Sequence, residues 1–170
     1  MSARMFARGF ALAGAAAMVI GSAGAGFAAQ SSPARGAVDV QLRQHPGGVQ
    51  TGPNEVSYNN GRVVVSFPGD DKPGSCDGHR VCFYDGTNFT GAQLTIHCGT
   101  TLSTKLADYG FADRISSYYN NSDNAVFVFE KNQPSDPWSE LWAEGPQASS
   151  VDVGAASDRA DLFSIYCIDE

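Results

Sequence analysis

Two parts of this chain repeat one another at a spacing of 45 residues, and this repeat limits the folds that the sequence can adopt. Tyr84 and Phe129 lie in matching aromatic runs, and Asp113 and Asp158, each followed by an arginine, have the same spacing. Each copy of about forty residues has the pattern strand, turn, strand, loop and strand. The sequence therefore predicts an all-β sandwich of two four-stranded Greek keys packed face to face.

Short β-rich runs bounded by turn residues support this prediction. No long apolar period of 3.6 residues follows the N-terminal segment, which favours a sandwich over alternating strands and helices. A single helical turn is predicted for residues 102–109. The predicted strands cover residues 80–84, 92–97, 115–120, 125–130, 139–143 and 162–168.

Residues 1–29 have the pattern of a secretory signal peptide. Arg4 and Arg8 precede an apolar, alanine-rich run over residues 10–20, and small residues at Ala23 and Ala25 offer a cleavage site. The apolar run is too short and too rich in small residues for a membrane anchor, which is the alternative. The mature protein is therefore predicted to be secreted to the extracellular space and to have no membrane association after cleavage.

Three further segments are predicted after the signal peptide. Residues 30–53 are rich in Ser, Pro, Gly, Ala and Gln, which predicts a mostly disordered tether. Residues 54–75 are predicted to form a β-hairpin and a linker, with a type I′ turn at Asn60-Gly61, because that turn needs two residues that tolerate positive φ. Residues 76–170 are predicted to form the repeated all-β domain.

Four cysteines lie in the exported part of the chain, and an even number in an oxidising compartment predicts two disulfides. The short Asp77-Gly78-His79 segment can turn back on itself, which favours a bond across it and leaves the other two cysteines to pair. A zinc site that includes His79 and His97 is the alternative, although the spacing lacks a repeated Cys-x-x-Cys pair. The predicted bonds are Cys76–Cys82 and Cys98–Cys167.

The charge balance argues against polyanionic partners. The chain has 11 basic and 18 acidic residues, and removal of the predicted signal peptide takes away two arginines and no acid. Nucleic-acid and anionic-membrane binding both need basic patches, so neither is expected.

A short aromatic motif links the first repeat to a known fold. Tyr84, Phe89 and Gly91 follow the pattern aromatic, four residues, phenylalanine, one residue, glycine. This pattern resembles the folded-hairpin signature of the βγ-crystallins. The resemblance implies that the glycine lets the hairpin bend over the sheet, and that Ser116 or Ser117 bonds to the hairpin backbone.

Two further motifs resemble a more specific family with this fold. The Cys-x5-Cys opening and the run Asp-Tyr-Gly-Phe-x-Asp-Arg-x-Ser-Ser over residues 108–117 are similar to secreted bacterial peptidase inhibitors of the streptomycete metalloproteinase inhibitor family. The resemblance implies an inhibitor that inserts a rigid surface loop into an extracellular peptidase, with metallopeptidases as the expected targets. The protein is expected to be a monomer. The candidate loop comprises Lys131, Asn132, Gln133, Pro134, Ser135, Asp136, Pro137 and Trp138.

Calcium binding is a second function that the resemblance implies. Crystallin-type sites combine an Asn/Asp pair with a later serine or threonine, and calcium prefers such oxygen ligands. The matching positions are Asp113 and Ser116 in the first copy and Asp158 and Asp161 in the second. A structural role in turning the loops is the alternative. An extracellular calcium-binding or structural interaction protein without inhibitory activity is therefore the second hypothesis.

No catalytic motif is found in the sequence. The three histidines are His45, His79 and His97, and neither Gly-x-Ser-x-Gly nor His-Glu-x-x-His occurs. The chain is therefore predicted not to be an enzyme, and calcium is the one cofactor considered.

Overall fold

The computed structural model describes residues 33–69, 73–99 and 102–167. The predicted signal peptide lies outside these residues. Within them, one α-helix and eleven strands are formed. Their bounds are α1 Pro33–Gln44, β1 Val49–Gly52, β2 Glu55–Tyr58, β3 Val63–Ser66, β4 Arg80–Tyr84, β5 Gln93–His97, β6 Leu102–Lys105, β7 Ser117–Asn121, β8 Val126–Glu130, β9 Ser139–Glu144, β10 Ser149–Ser150 and β11 Leu162–Ile165.

The strands form two antiparallel sheets that exchange one strand. Sheet A has the order β1-β2-β3-β5-β4-β7-β10, and sheet B has the order β6-β11-β8-β9. The first repeat supplies β4, β5, β6 and β7, and the second supplies β8, β9, β10 and β11. The third strand of each repeat lies in the sheet of the other repeat. The predicted all-β Greek-key architecture is therefore confirmed.

The core lies between the two sheets. Val81 and Phe83 of β4 and Val126 and Val128 of β8 are fully buried in one cluster, because alternate side chains of a strand face the same side. The ring of Phe83 packs against that of Phe163 across the sandwich, with 5.8 Å between centroids.

The two repeats hold each other through a reciprocal pair of backbone hydrogen bonds. The Asp113 N–H donates to the Ala160 carbonyl at 2.8 Å, and the Asp158 N–H donates to the Ile115 carbonyl at 3.1 Å. Both aspartates have positive φ, 53° and 57°. The spacing of 45 residues seen in the sequence therefore corresponds to a structural two-fold relation between the repeats.

The hairpin between β4 and β5 folds back over the outer face of sheet A. Gly91 has φ of 81°, and a Cβ atom there would collide with the Asp85 carboxylate. The Phe89 N–H donates to Ser117 Oγ at 3.0 Å, and the Ser117 hydroxyl donates to the Gly86 carbonyl at 2.6 Å. Ser117, rather than Ser116, is therefore the serine that bonds to the hairpin backbone.

The disordered tether predicted for residues 30–53 is wrong for the described part of that segment, which forms α1 and β1. Val38 is fully buried, and Leu42, one turn later, also packs on the core. Gln41, on the same face, donates to the Tyr58 hydroxyl and to the Tyr109 carbonyl, each at 2.9 Å. The breaker residues end the helix rather than disorder the segment, because tertiary burial outweighs weak local propensity.

Two local predictions also need correction. The two-residue type I′ turn predicted at Asn60-Gly61 is wrong. Tyr58 pairs with Val63, so a four-residue loop joins β2 and β3, and positive φ begins at Asn59. Residues 102–109 form β6 followed by a 3-10 turn, Leu106–Tyr109, instead of a single helical turn.

Both disulfides are present in the pairing that the sequence predicts. Cys76–Cys82 closes a short loop and packs with Tyr84 and Phe89, and Cys98–Cys167 ties the residue after β5 to the chain that follows β11. No helix in the described part of the chain is long and apolar enough to span a membrane.

Substitution of the bend glycine tests the folded hairpin. We expect Gly91→Ala to lower the free energy of unfolding by about 1 to 3 kcal/mol, because the site combines positive φ with a steric collision. Urea unfolding with intact disulfides measures the effect. Gly69→Ala is the matched control, since Gly69 has open space around its Cα and no positive φ. Equal losses for the two variants would contradict the role of Gly91.

The buried amide of α1 provides a second test. We expect Gln41→Ala to cost about 1 to 3 kcal/mol, because the Tyr109 carbonyl and the Tyr58 hydroxyl lose a buried donor. Gln44→Ala, at an exposed position of the same helix, controls for helix propensity. A Gln41→Ala midpoint in urea equal to that of Gln44→Ala would show that the hydrogen bonds of Gln41 do not stabilise the sandwich.

Candidate functional site

The candidate loop, residues 131–138, connects β8 to β9 at one end of sheet B. Glu130 pairs with Ser139 at its base. Six of its eight residues are exposed, and Lys131 and Asp136 are partly buried. The loop therefore projects from the sheet as a surface segment with both ends held in strands.

The base of the loop is fixed by three side chains. The Lys131 N–H donates to Asp161 Oδ2 at 2.8 Å, and the Asp161 N–H donates to the Phe129 carbonyl at 2.9 Å. Arg159 makes a two-pronged contact with Glu130, in which Nε and Nη2 donate to the two carboxylate oxygens at 2.9 and 2.6 Å. A bidentate pair of this kind fixes the relative orientation of the guanidinium and carboxylate groups as well as the distance between them.

Within the loop, several features limit the conformational freedom of the backbone. The Asp136 N–H donates to the Gln133 carbonyl at 3.0 Å, which closes a turn around Pro134. Pro134 and Pro137 each fix one φ. The ammonium of Lys131 lies 5.2 Å from the centroid of the Trp138 ring, so the two ends of the loop also touch each other through a cation–π contact.

A shallow pocket of about 300 Å³ lies between this loop and the start of the 3-10 turn. It brings two lysines, one aspartate and an exposed indole together. The lining residues are Lys105, Ala107, Lys131, Pro134, Trp138 and Asp161.

Lys105 and Ala107 were not among the residues that the sequence pointed to, because residues 102–109 were predicted as a helical turn. The alternation in β6 was the available signal. Leu102 and Thr104 are less exposed than Ser103 and Lys105, which is the pattern of a strand with one face toward the core.

Three of the four predicted calcium-binding residues lie in one neighbouring pocket of about 280 Å³. Asp113, Asp158 and Asp161 line it together with Glu130. Partial burial, followed by the charges of Asp161, Asp158 and Glu130, raises the pKa of Asp113. Ser116 is instead buried, and its hydroxyl lies 3.1 Å from that of Ser157.

Other groups limit how these oxygens could bind a cation. The Glu130 carboxylate is engaged by Arg159, and the Asp161 carboxylate by the Lys131 N–H. Among the described residues, no cluster of three or more His, Cys, Asp or Glu side chains is arranged to hold a metal ion. Calcium binding at Asp113, Ser116, Asp158 and Asp161 stays a prediction.

The zinc alternative fails because its sulfur ligands are occupied. All four cysteines are in disulfides, so none offers a thiolate. His79 is exposed and lies 3.5 Å from Asp123. Burial and then the Arg80 guanidinium lower the pKa of His97, whereas Asp77 opposes this effect.

Residues 69–139 match the model of Peptidase inhibitor family I36, the streptomycete metalloproteinase inhibitor family. This match covers the first repeat, β8 and the whole candidate loop. No curated protein is similar enough to this chain to count as a match.

Solved structures of βγ-crystallin domains are also similar to this chain. A structure described as concerning the evolution of the eye lens βγ-crystallin domain fold is 14% identical, with 63% of this chain and 99% of that chain covered and a TM-score of 0.45. A domain from Clostridium beijerinckii is 22% identical over 52% of this chain and 99% of its own, with a TM-score of 0.40. A domain of Abundant Perithecial Protein from Neurospora crassa, in its Ca²⁺-bound form, is 21% identical over 56% and 97%, with a TM-score of 0.39.

The family match confirms the resemblance predicted from the sequence. It supports a peptidase inhibitor with a βγ-crystallin-like fold, and the matched family is one of inhibitors rather than enzymes.

The acidic pocket gives a pH-dependent prediction. A raised pKa in the folded protein means that the ionised carboxylate of Asp113 destabilises the fold. The free energy of unfolding that Asp113 contributes therefore falls as pH rises from the ordinary aspartate pKa through the raised pKa. We expect Asp113→Asn to raise the thermal midpoint at pH 7, with the advantage vanishing at a pH below the ordinary aspartate range. Asp39→Asn, at an exposed position of α1, is the control, and an advantage that persists unchanged at low pH would contradict the electrostatic cause.

Proposed function

We propose that this chain, residues 69–139 of which match Peptidase inhibitor family I36, is a secreted inhibitor of extracellular metallopeptidases that acts through the loop 131–138. The observation that carries the proposal is the anchored geometry of this loop. It is exposed along most of its length, yet its base is fixed by the contacts of Lys131, Glu130 and Asp161.

Anchoring matters because a flexible segment would lose conformational entropy on entering a cleft. Each immobilised side chain or backbone segment costs free energy at binding unless folding has already ordered it. Pro134 and Pro137 reduce the number of conformations that the free loop samples, as the turn at Gln133 and the Lys131–Trp138 contact also do. The loop can therefore present its backbone to a peptidase with little further ordering.

Secretion is consistent with the cysteine chemistry. All four cysteines are paired, and such bonds persist in oxidising compartments. The predicted signal peptide at residues 1–29 supports the same location. Metallopeptidases are proposed as targets because of the resemblance to the streptomycete metalloproteinase inhibitors.

The test is a titration of the chain from residue 30 onward against thermolysin-like, serine and cysteine peptidases. We expect inhibition of at least the thermolysin-like class at micromolar or lower concentration. The double variant Pro134→Gly, Pro137→Gly should raise the inhibition constant roughly tenfold, because each proline limits loop freedom by a fraction of a kcal/mol to about 1 kcal/mol.

The matched control replaces two exposed prolines elsewhere, Pro53→Gly and Pro146→Gly, and should leave the inhibition constant unchanged. Absence of inhibition of every class by the wild-type chain would overturn the proposed function. Inhibition that is insensitive to the loop variant would overturn the loop mechanism alone.

Calcium binding is the second candidate, and the observation that favours it is the convergence of Asp113, Asp158 and Asp161 on one pocket. A bound cation would relieve the repulsion that raises the pKa of Asp113. Calorimetry of metal-stripped protein with millimolar calcium tests this, together with the thermal midpoint. Heat and a shift that disappear in Asp113→Asn would support the site, whereas no heat and no shift would remove it.

A further inference from the structure

The outer face of sheet B carries aromatic side chains that the sandwich does not bury. In β8, Val126 and Val128 point into the core, so Phe127 and Phe129 point outward. Both phenylalanines are only partly buried. A sheet face that contacts only water normally carries polar side chains at such positions.

The neighbouring strand extends this apolar surface. Leu162 lies beside Phe129 in the register of β8 and β11, on the same outer face. Tyr166, just after β11, packs its ring edge-on against Phe127 at 6.0 Å between centroids and is 58% exposed. We call the four residues Phe127, Phe129, Leu162 and Tyr166 the sheet B platform.

The equivalent face of the first repeat is covered. Cys82 and Tyr84 stand at the positions of Phe127 and Phe129, 45 residues earlier, and both are fully buried. Phe89 of the folded hairpin lies over them, with its ring 5.6 Å from that of Tyr84 and 6.3 Å from that of Tyr119. The first repeat therefore supplies its own cover, an aromatic side chain carried on a loop.

Loop 131–138 of the second repeat differs from the first hairpin at the bend. No residue of 131–138 has the positive φ that Gly91 provides in the first hairpin. Trp138 packs against Lys131 and remains 39% exposed. Tyr166 is exposed and the other three platform residues are partly buried, so accessible apolar surface lies beside the loop proposed to enter the peptidase.

Two lysines, Lys105 and Lys131, lie next to the sheet B platform. Lys105 pairs with Leu162 in the sheet register and shares the 300 Å³ pocket with Lys131 and Trp138. The chain has three lysines and a net charge of −7, so two lysines converging here make a local exception. Among the described residues, neither lysine side chain has an ion pair with a carboxylate, and Asp161, which lines the same pocket, accepts from the Lys131 backbone.

We propose that the sheet B platform is a second contact surface for the inhibited peptidase, continuous with the loop 131–138. A segment of the peptidase with an apolar side chain would lie on Phe127, Phe129 and Tyr166, where Phe89 lies in the first repeat. An acidic side chain of the peptidase would reach Lys105 and Lys131. This inference rests on the proposed inhibitory function and names the surface that would give it selectivity.

The test measures inhibition constants of platform variants against a peptidase that the wild-type chain inhibits. Tyr166→Ser removes an exposed ring, and Ala143→Arg places a bulky charge opposite Phe127 without removing any contact. We expect each variant to raise the inhibition constant about tenfold with an unchanged thermal midpoint. Lys105→Glu should slow association, and the effect should shrink at high salt because screening weakens charge steering.

Two controls match these changes. Val49→Ser removes an exposed apolar side chain from the edge of sheet A, and Arg43→Glu reverses an exposed charge on α1. Both should leave the inhibition constant within twofold of wild type.

The outcomes separate the inference from the proposed function. If the wild-type chain inhibits and the platform variants inhibit equally well, the platform inference is overturned and the inhibitory function stands. If the wild-type chain inhibits no peptidase, both fall. If sedimentation shows a wild-type dimer that Tyr166→Ser dissociates without change in inhibition, a second copy of the chain occupies the platform and the inference is overturned.

Discussion

The exchange of one strand between the two repeats is the constraint on which the rest of the structure depends. Neither repeat completes its sheet alone, because β6 pairs with β11 of the other repeat in sheet B and β10 pairs with β7 of the other repeat in sheet A. The paired bonds from Asp113 to Ala160 and from Asp158 to Ile115 fix the crossing segments at the same points in both copies. The sandwich therefore needs both halves, and the matching backbone hydrogen bonds lie 45 residues apart in the two copies.

The N-terminal extension is added to this pair of repeats as part of the same core. β3 pairs with β5 and removes an edge that the first repeat would otherwise expose. α1 then covers the end of the sandwich through Val38 and the amide of Gln41. Gly110, with φ of 71°, brings its backbone close to Gln41 and His45, where a Cβ atom would collide with the imidazole. The extension and the repeated domain thus share one hydrophobic core.

The sequence predicted the elements whose signal lies in neighbouring residues and missed those that depend on contacts between distant residues. The strands β4, β5 and β8 were found because β-branched and aromatic residues lie between turn residues, and the spacing of 45 residues gave the duplication. The bend at Gly91 was expected from the resemblance of one short motif to the βγ-crystallins, which left Ser116 and Ser117 open as the serine that bonds to the hairpin backbone. α1 was missed because its burial depends on Tyr58 and Tyr109, which are distant in the sequence. β10 was missed because a two-residue strand has no period.

The same distinction between local sequence patterns and tertiary contacts holds for the candidate loop, residues 131–138. The exposed position of 131–138 could be predicted from two prolines and polar residues between two strands. Its anchoring could not, because Glu130 is held by Arg159 and Lys131 by Asp161, about thirty residues later in the chain. These contacts come from the second crossing segment, at the positions that match Arg114 and Ser116 of the first copy.

The divergence of the two repeats has a physical consequence for function. In the first copy, Arg114 pairs with Asp85, and Ser117 ties down a hairpin that buries Tyr84. In the second copy, Leu162 occupies the position of Ser117, so no hydroxyl is available to hold a hairpin over the sheet. Arg159 instead turns to Glu130 at the base of the loop. The same scaffold therefore covers the outer face of the first repeat and leaves part of the second repeat's outer face exposed at Tyr166, where we propose that the peptidase makes a second contact.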